Sequence, residues 1–192
     1  MIKNLSYFGD PILRTKCKPV EKITDEILKI AQELVDTVTA HNGSGLAAPQ
    51  IGYDLRMFVV VLSDQVDKSG NPYDEEPKVF INPVITRASK EKNLKSEGCL
   101  SIPNFYEEVE RPREIDVEAL DINGNLFSEK KLHRWRARCI QHEMDHLDGI
   151  LFIDRFSEPL KHRHNQALQL LEMRFKQART IQGDPFKQKG LK

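Results

Sequence analysis

Cysteine, net charge and long apolar runs are scarce in this sequence. Its 192 residues include only three cysteines, at positions 17, 99 and 139 and without a CxxC pair, which argues against a disulfide framework. The 29 basic residues equal the 29 acidic ones, so no global field draws the chain to DNA or to anionic lipid. Apolar runs such as 57–62 are far shorter than the roughly 18 residues of a membrane span. We therefore expect no DNA partner and no membrane segment.

Size and composition favour one globular domain. The chain is 39% apolar and 30% charged, which is typical of a folded protein and not of a disordered one. We expect a single domain over 1–182, with a C-terminal helix at about 157–181, and a polar tail over 183–192. The first residues have neither the apolar core of a signal peptide nor an arginine-rich transit composition. We expect a cytoplasmic protein that acts as a monomer.

Hydrophobic periodicity predicts an α+β fold. An apolar stripe at helical spacing predicts an N-terminal helix over 24–40, capped by Thr24 or Asp25. Buried strands are predicted at 57–62 and 78–82, with a polar loop over 63–77 between them. A further strand at 114–120 precedes a hairpin turn at Asn123-Gly124, and a helix follows over 134–146. The fold class is antiparallel sheets around this central helix, with helices at both ends of the chain.

The central helix carries an HExxH motif. At positions i and i+4, His142 and His146 stand on one helix face about 6 Å apart and can chelate one metal ion. Glu143 points about 100 degrees round the helix, where it borders the metal and is better placed to manage a water molecule than to bind the ion. The alternative is a solvated helix with paired charges. A third ligand from another element would favour the metal site.

Two cysteines compete for the role of third ligand. Cys139 lies on the same helix stripe but about 4.5 Å further toward the N-terminus, and its Cβ tilts away from the two histidines. Cys99 follows Gly98, and a glycine there permits close backbone approach. We therefore predict Cys99 as the third ligand. Considered without the two histidines, Cys99 would be interpreted as a small buried apolar residue. Three protein ligands leave one tetrahedral position for water, as in catalytic metal sites.

Three separated segments resemble one family, peptide deformylase. Residues 43–50 resemble its GxGLAAxQ motif, 97–101 its EGCxS motif and 141–147 its QHExDHL motif, and similarity extends over roughly 5–156. The resemblance implies a hydrolase that removes the formyl group from N-formylmethionyl peptides and releases formate. It implies metal ligation by Cys99, His142 and His146, with Fe(II) as the native ion and Zn(II), Ni(II) or Co(II) as alternatives. By the same resemblance, Glu143 is the general acid/base, and the oxyanion hole consists of Gln50 and the backbone N–H of Leu100.

The substrate would contact residues on both sides of the metal. We predict that Trp135 and Cys139 wall an apolar pocket for methionine, the alternative being ordinary helix core. Backbone groups of two segments would bind the peptide in strand fashion: Ser44, Gly45, Leu46, Glu97 and Gly98. Two positions depart from the family pattern, namely Ser44, where many members have a branched aliphatic residue, and Tyr106, where some have arginine.

Two other functions share parts of this pattern. A metallopeptidase also uses HExxH, but an upstream cysteine ligand is unusual for that class. A structural metal site in a binding module would need a fourth protein ligand, which the sequence does not supply unless Cys139 turns inward. A separate hypothesis concerns the C-terminal region, where residues from 157 onward carry eight basic and three acidic side chains. This helix is either a solvated face or a transient contact with ribosomal RNA.

Overall fold

The computed structural model describes residues 1–66 and 72–180 of the chain. Its helices are α1 (Asp25–Ala40), α2 (Arg134–Leu147) and α3 (Glu158–Thr180). Its strands are β1 (Gly45–Ala47), β2 (Met57–Val66), β3 (Pro72–Ala88), β4 (Lys92–Cys99), β5 (Ile102–Pro112), β6 (Ile115–Leu120) and β7 (Leu126–Leu132). Short 3-10 turns occupy Pro11–Arg14, Ala48–Ile51 and Phe152–Arg155. None of these described helices is long and apolar enough to cross a membrane.

The strands form two antiparallel sheets. In the part of the chain that the structure describes, one sheet has five strands in the order β1-β2-β3-β6-β7, and the other is the hairpin β4-β5. The predicted α+β class with antiparallel sheets is thus confirmed. Sequence periodicity did not predict β4 and β5, because half of the side chains of β4 are exposed and no apolar alternation marks it.

The five-stranded sheet is covered on both faces, which explains the apolar run at 57–62. Successive side chains of a strand point to opposite faces. Met57 and Val59 pack into a core shared with α1, and Phe58 and Val60 pack into a core shared with α2. A strand buried on both faces needs apolar residues at every position, not at alternate ones. The HExxH-bearing helix α2 therefore lies against this sheet.

Two boundaries test the sequence-based prediction. Helix α1 begins after Thr24, whose hydroxyl accepts a hydrogen bond from the backbone N–H of Ile27 at 3.4 Å, as expected of a capping residue. The predicted loop over 63–77 is wrong in extent, since β2 continues to Val66 and β3 begins at Pro72. Backbone pairing carries the ladder beyond the apolar residues, and Leu62 pairs with Asp74. Residues 67–71 lie outside the described part.

Helix α3 packs against a third core. The Phe175 side chain is buried, and its ring stacks on Tyr7 with centroids 5.2 Å apart. Nε2 of His164 lies 2.6 Å from Oε2 of Glu107 on β5. These contacts join α3 to the N-terminal segment and to the β4-β5 hairpin. The predicted tail over 183–192 lies outside the described residues, so the division at residue 182 stays a prediction.

Candidate metal centre

Three potential metal ligands meet where β4 ends against α2. Ligand atoms of Cys99, His142 and His146 all lie within 4.8 Å of one another, and Sγ of Cys99 is 3.3 Å from Nε2 of His146. The two histidines share a helix face because they are four residues apart, and their ring centroids are 5.0 Å apart. Cys99 reaches them from the last residue of β4, which belongs to the other sheet. Tertiary packing thus brings together residues separated by more than 40 positions.

The geometry and chemistry of these donors fit a divalent metal ion. Tetrahedral ligands at about 2.0–2.3 Å from an ion lie roughly 3.4–3.7 Å from one another, and the sulfur–nitrogen distance is close to that value. Imidazole and thiolate suit Fe, Zn, Ni and Co. Cys139 does not belong to this group of ligand atoms in the described residues. Burial, the largest effect, raises the pKa of the Cys139 thiol well above its ordinary value, which disfavours the thiolate needed for metal binding.

A buried ion-pair network orients His142. Oε2 of Glu97 lies 3.1 Å from Nδ1 of His142, while both carboxylate oxygens accept hydrogen bonds from Arg111 at 2.6 and 2.8 Å. Burial raises the pKa of Glu97, but its bonds to His142 and Arg111 prevail and hold it at about 2. Glu97 therefore stays ionised and accepts the Nδ1 proton, which leaves Nε2 of His142 for a metal. Arg138 donates to the same carboxylate.

The two histidines differ in their electrostatic surroundings. Burial lowers the pKa of His146 well below its ordinary value, so its ring is neutral, which is the form that binds metals. Burial also disfavours the charged form of His142, but hydrogen bonds to Cys99 and Glu97 outweigh it and raise the pKa well above its ordinary value. A metal ion would compete with this proton for the same donors.

Glu143 is a buried carboxylate beside the ligand cluster. Its side-chain atom Oε2 is buried and has no hydrogen-bond partner among the described residues. Burial raises its pKa to about 7, above the ordinary value of a glutamate. A carboxylate with a pKa near neutral can both accept and return a proton at physiological pH. This is the property that a general acid/base needs.

Gln50 is held with its amide N–H₂ group toward Cys99. Its Oε1 accepts a hydrogen bond from the backbone N–H of Ala47 at 2.8 Å, which leaves Nε2 to face Sγ of Cys99 at 3.5 Å and Oγ of Ser101 at 3.2 Å. The side chain is buried on the short turn that follows β1. Leu100, the residue after Cys99, lines a cavity that Gln50 and Cys99 also line. Both residues predicted for the oxyanion hole therefore lie beside the ligand cluster.

A cavity of about 690 Å³ opens onto this cluster. Its lining includes most of the residues predicted from the sequence: Ser44, Gly45, Gln50, Glu97, Gly98, Cys99, Leu100, Trp135, Cys139, His142 and Glu143. Leu46 does not line it, because the Leu46 side chain is fully buried in the core next to α1. The backbone of Leu46 is buried as well, since the residue has no exposed surface. Strand β1 is the edge strand of its sheet, so one side of this backbone pairs with no other strand of the five.

The chain is similar to known proteins over most of its length. The family model for polypeptide deformylase matches residues 2–162. The chain belongs to the polypeptide deformylase family. A peptide deformylase of Synechocystis is 45% identical over 160 residues, which cover 81% of this chain and 80% of that protein. One from Acinetobacter baumannii is 45% identical over 154 residues, covering 80% and 82%.

Solved deformylase structures share the fold. The Arabidopsis thaliana deformylase 1B structure in complex with an inhibitor matches with a TM-score of 0.81 at 33% identity, covering 95% of this chain and 96% of that one. The Thermus thermophilus structure matches with a TM-score of 0.81 at 37% identity, covering 93% and 99%. Members of the family are metal-dependent hydrolases that remove the N-formyl group from newly made polypeptides, so the predicted family and activity are confirmed.

Sequence reasoning missed the residues that support the deformylase site. Arg111 links Glu97 to Asp145, which in turn accepts hydrogen bonds from Arg155. Arg138 lies four residues before His142 on the same helix, and this i, i+4 spacing to a ligand was the available signal. The pairing of Arg111 with Glu97 had no local signal because it depends on the register of the β4-β5 hairpin.

Proposed function

We propose that Cys99, His142 and His146 hold one divalent metal ion with which this enzyme hydrolyses the formyl amide of N-formylmethionyl peptides. The observation that carries the proposal is a three-donor cluster of one thiol and two imidazoles beside a buried carboxylate that has one unpartnered oxygen. Cys99, His142 and the carboxylate residue Glu143 line one cavity. Three donors leave a coordination position for water, which favours a catalytic site over a structural one.

Glu143 is the proton-transfer group of the proposed mechanism. A bound metal ion would act as a Lewis acid on the formyl oxygen and lower the pKa of a water molecule. Glu143 accepts the proton of the attacking water and returns it to the leaving amine, because its pKa of about 7 permits both transfers. The proton then resides on the new N-terminus of the peptide, and formate leaves.

Gln50 and Leu100 stabilise the charge that develops on the formyl oxygen. The amide of Gln50 is fixed by its bond to Ala47, so it needs no reorientation during the reaction. The backbone N–H of Leu100 is the second donor. One such donor contributes on the order of 3 kcal/mol to transition-state stabilisation in comparable sites.

The peptide is held between two chain segments. Residues 44–46 lie at the start of β1, along the edge that pairs with no other strand of the five, and Glu97 and Gly98 lie at the end of β4. Both segments offer backbone groups for strand-like binding. Trp135 and Cys139 contribute apolar surface from α2, which suits a methionine side chain. Main-chain bonds supply affinity, and the pocket on α2 selects the first side chain.

Fe(II) is the proposed native ion, and Zn(II), Ni(II) and Co(II) are alternatives that the donor set accepts. The thiolate of Cys99 donates charge and makes the ion less Lewis-acidic than an all-histidine site would. We place the enzyme in the cytoplasm, where formylated polypeptides are made, and propose that it acts as a monomer. Metal analysis of anaerobically purified protein identifies the ion.

A formyl-Met-Ala-Ser peptide tests the activity. We expect release of formate and loss of one carbon monoxide unit of mass with the peptide chain intact. A Glu143→Ala variant is expected to keep its metal and lose turnover. Chain cleavage would support a metallopeptidase instead, and full turnover by the variant would remove Glu143 from the mechanism.

Helix α3 is proposed as a transient contact with ribosomal RNA. Arg163 and Arg174 are exposed on it, and the region from residue 157 onward carries five excess positive charges. Replacing both arginines with alanine is expected to lower the fraction of enzyme that cosediments with ribosomes. An unchanged fraction would refute this contact.

A further inference from the structure

A second cavity, also about 690 Å³, adjoins the one at the metal centre. The two cavities share Trp135 and Arg138, and no proposed metal ligand lines the second one. Its walls come from the start of β4, the residue after β5 and the start of α2: Glu91, Lys92, Asn93, Lys95, Arg113, His133, Arg134, Trp135 and Arg138. The volume lies in the range of about 300–1,000 Å³ that ligand sites occupy.

The walls of this cavity carry more basic than acidic side chains. Five of the nine lining residues are lysine or arginine, and one, Glu91, is acidic. Three of the cations have acidic partners, since Arg113 pairs with Glu91 at 2.5 Å, Lys92 pairs with Glu110 at 2.9 Å and Arg138 pairs with Glu97. Lys95 and Arg134 are exposed and form no ion pair with any residue of 1–66 or 72–180. Because the whole chain has zero net charge, this excess is local.

Arg134 occupies a backbone conformation that favours glycine. Its φ of 53° lies in the left-handed region, which is uncommon for a residue with a side chain. The chain therefore keeps a cation where glycine would be accommodated best. Arg134 is also the first residue of α2, whose first turn contains no acidic side chain, so the positive end of the helix dipole adds to the local charge.

We propose that this basic cavity binds the phosphate backbone of single-stranded RNA. Lys95 and Arg134 are the cations available for phosphate, and Trp135 offers an aromatic surface for an unpaired base. Cations combined with an aromatic platform are the composition of single-strand sites, whereas a site for acidic peptide needs no aromatic surface. The choice of RNA as the polyanion rests on the proposed function, because newly made polypeptides leave a ribosome.

Binding of a fluorescent RNA of about 12 nucleotides tests the proposal. The metal-loaded wild type is compared with the double variant Lys95→Ala, Arg134→Gly, in which glycine suits the backbone at 134. The matched control, Lys22→Ala with Lys29→Ala, removes two exposed cations elsewhere. Fluorescence anisotropy is measured over a salt series, with polyglutamate of equal length as competitor. Deformylation of formyl-Met-Ala-Ser is measured in parallel.

We expect the site variant to bind RNA at least tenfold more weakly than the wild type and the control. The slope of log affinity against log salt is expected to fall by about 1.4, since each single-strand phosphate contact contributes about 0.7. Equal binding by both double variants, or competition by polyglutamate as effective as that by unlabelled RNA, would overturn the proposal. If the wild-type enzyme removes formyl groups but does not bind the RNA, this inference alone is overturned. If it binds the RNA but removes no formyl groups, only the proposed function is overturned.

Discussion

Nδ1 of His142 lies 3.1 Å from Oε2 of Glu97, a residue of the strand that also carries Cys99. Glu97 precedes Cys99 by two residues, so one short segment supplies both a candidate ligand and the group that orients another. The carboxylate is itself fixed by Arg111 and Arg138. Orientation of the metal centre therefore depends on a buried network that extends from α2 into the β4-β5 hairpin.

Replacing Glu97 with glutamine is expected to weaken metal affinity by 10–100-fold, because His142 loses the anionic partner of its Nδ1. The variant also leaves two buried guanidinium groups without their carboxylate, so its stability falls. Glu129→Gln is a matched control, since Glu129 binds Arg136 on α2 outside the ligand cluster. Metal titration separates the two effects. Equal metal affinity in both variants would show that Glu97 acts only on stability.

Removal of the thiol of Cys99 is expected to abolish tight metal binding. In the wild type, a chelator should lower the free energy of unfolding. The loss should be about 2.7 kcal/mol if the free metal concentration before chelation is 100 times the dissociation constant. The same chelator should leave the free energy of unfolding of Cys99→Ala unchanged. Cys17→Ala is the control, because Cys17 is buried in the core and burial, as the largest effect, raises its pKa to about 11. Denaturant unfolding with and without chelator measures the difference. A chelator effect of wild-type size in Cys99→Ala would contradict ligation by Cys99.

Glu143→Gln is expected to reduce kcat by 10²–10⁴-fold with the metal retained, since glutamine preserves the shape of the side chain but transfers no proton. KM should change little, because Glu143 is assigned a role in proton transfer and not in peptide binding. Steady-state kinetics and metal analysis on the same sample check this. Loss of metal together with activity would assign Glu143 a structural role instead.

Gly45→Ala is expected to lower kcat/KM at least tenfold. A Cβ at this position would lie 2.7 Å from Sγ of Cys139 and 2.8 Å from Oε1 of Glu143, so these side chains or the backbone of β1 have to shift. Gly124→Ala is the control, because its backbone φ of 82° makes a side chain costly while an added Cβ meets only Ile23 at 3.7 Å. The control should lose about 1 kcal/mol of stability and keep its activity. Unchanged kinetics in Gly45→Ala would contradict the close approach of β1 to Glu143.

The ion pair between Glu129 and Arg136 gives a pH-dependent contribution to stability. Burial raises the pKa of Glu129, but hydrogen bonds from Arg136 and Lys78 prevail and lower it below its ordinary value. Because the pKa of Glu129 is lower in the folded state, the ionised carboxylate stabilises the fold at pH values above about 4.3, the pKa in the unfolded state. This contribution is lost as the pH falls through the lower pKa of the folded state. Glu129→Gln should thus be less stable than the wild type at pH 7, and the difference should shrink as the pH falls below about 4.3. Urea unfolding of both proteins at several pH values measures this difference in stability, with the exposed Glu108→Gln as control. A difference that does not depend on pH would contradict the prediction.

The sequence alone predicted the parts of the fold and site that depend on local order. The stripe of α1, the buried run of β2 and the i, i+4 pair His142 and His146 are properties of neighbouring residues, so periodicity and spacing suffice to find them. The extent of β2 and β3 was underestimated because polar residues continue their ladder through backbone hydrogen bonds. Hairpin β4-β5 was missed because its exposed side chains follow no apolar alternation.

By itself, the sequence determined which residues are candidates for the site, since HExxH, the cysteine after glycine and the three family motifs are read from residue order. Only the tertiary structure decided how they are arranged. The distance from Cys99 to His146, the partners of Glu97 and the burial of Glu143 all arise where a strand of one sheet meets a helix packed on another. Contacts between elements far apart in the chain depend on packing and strand register, and neither can be predicted from the order of neighbouring residues.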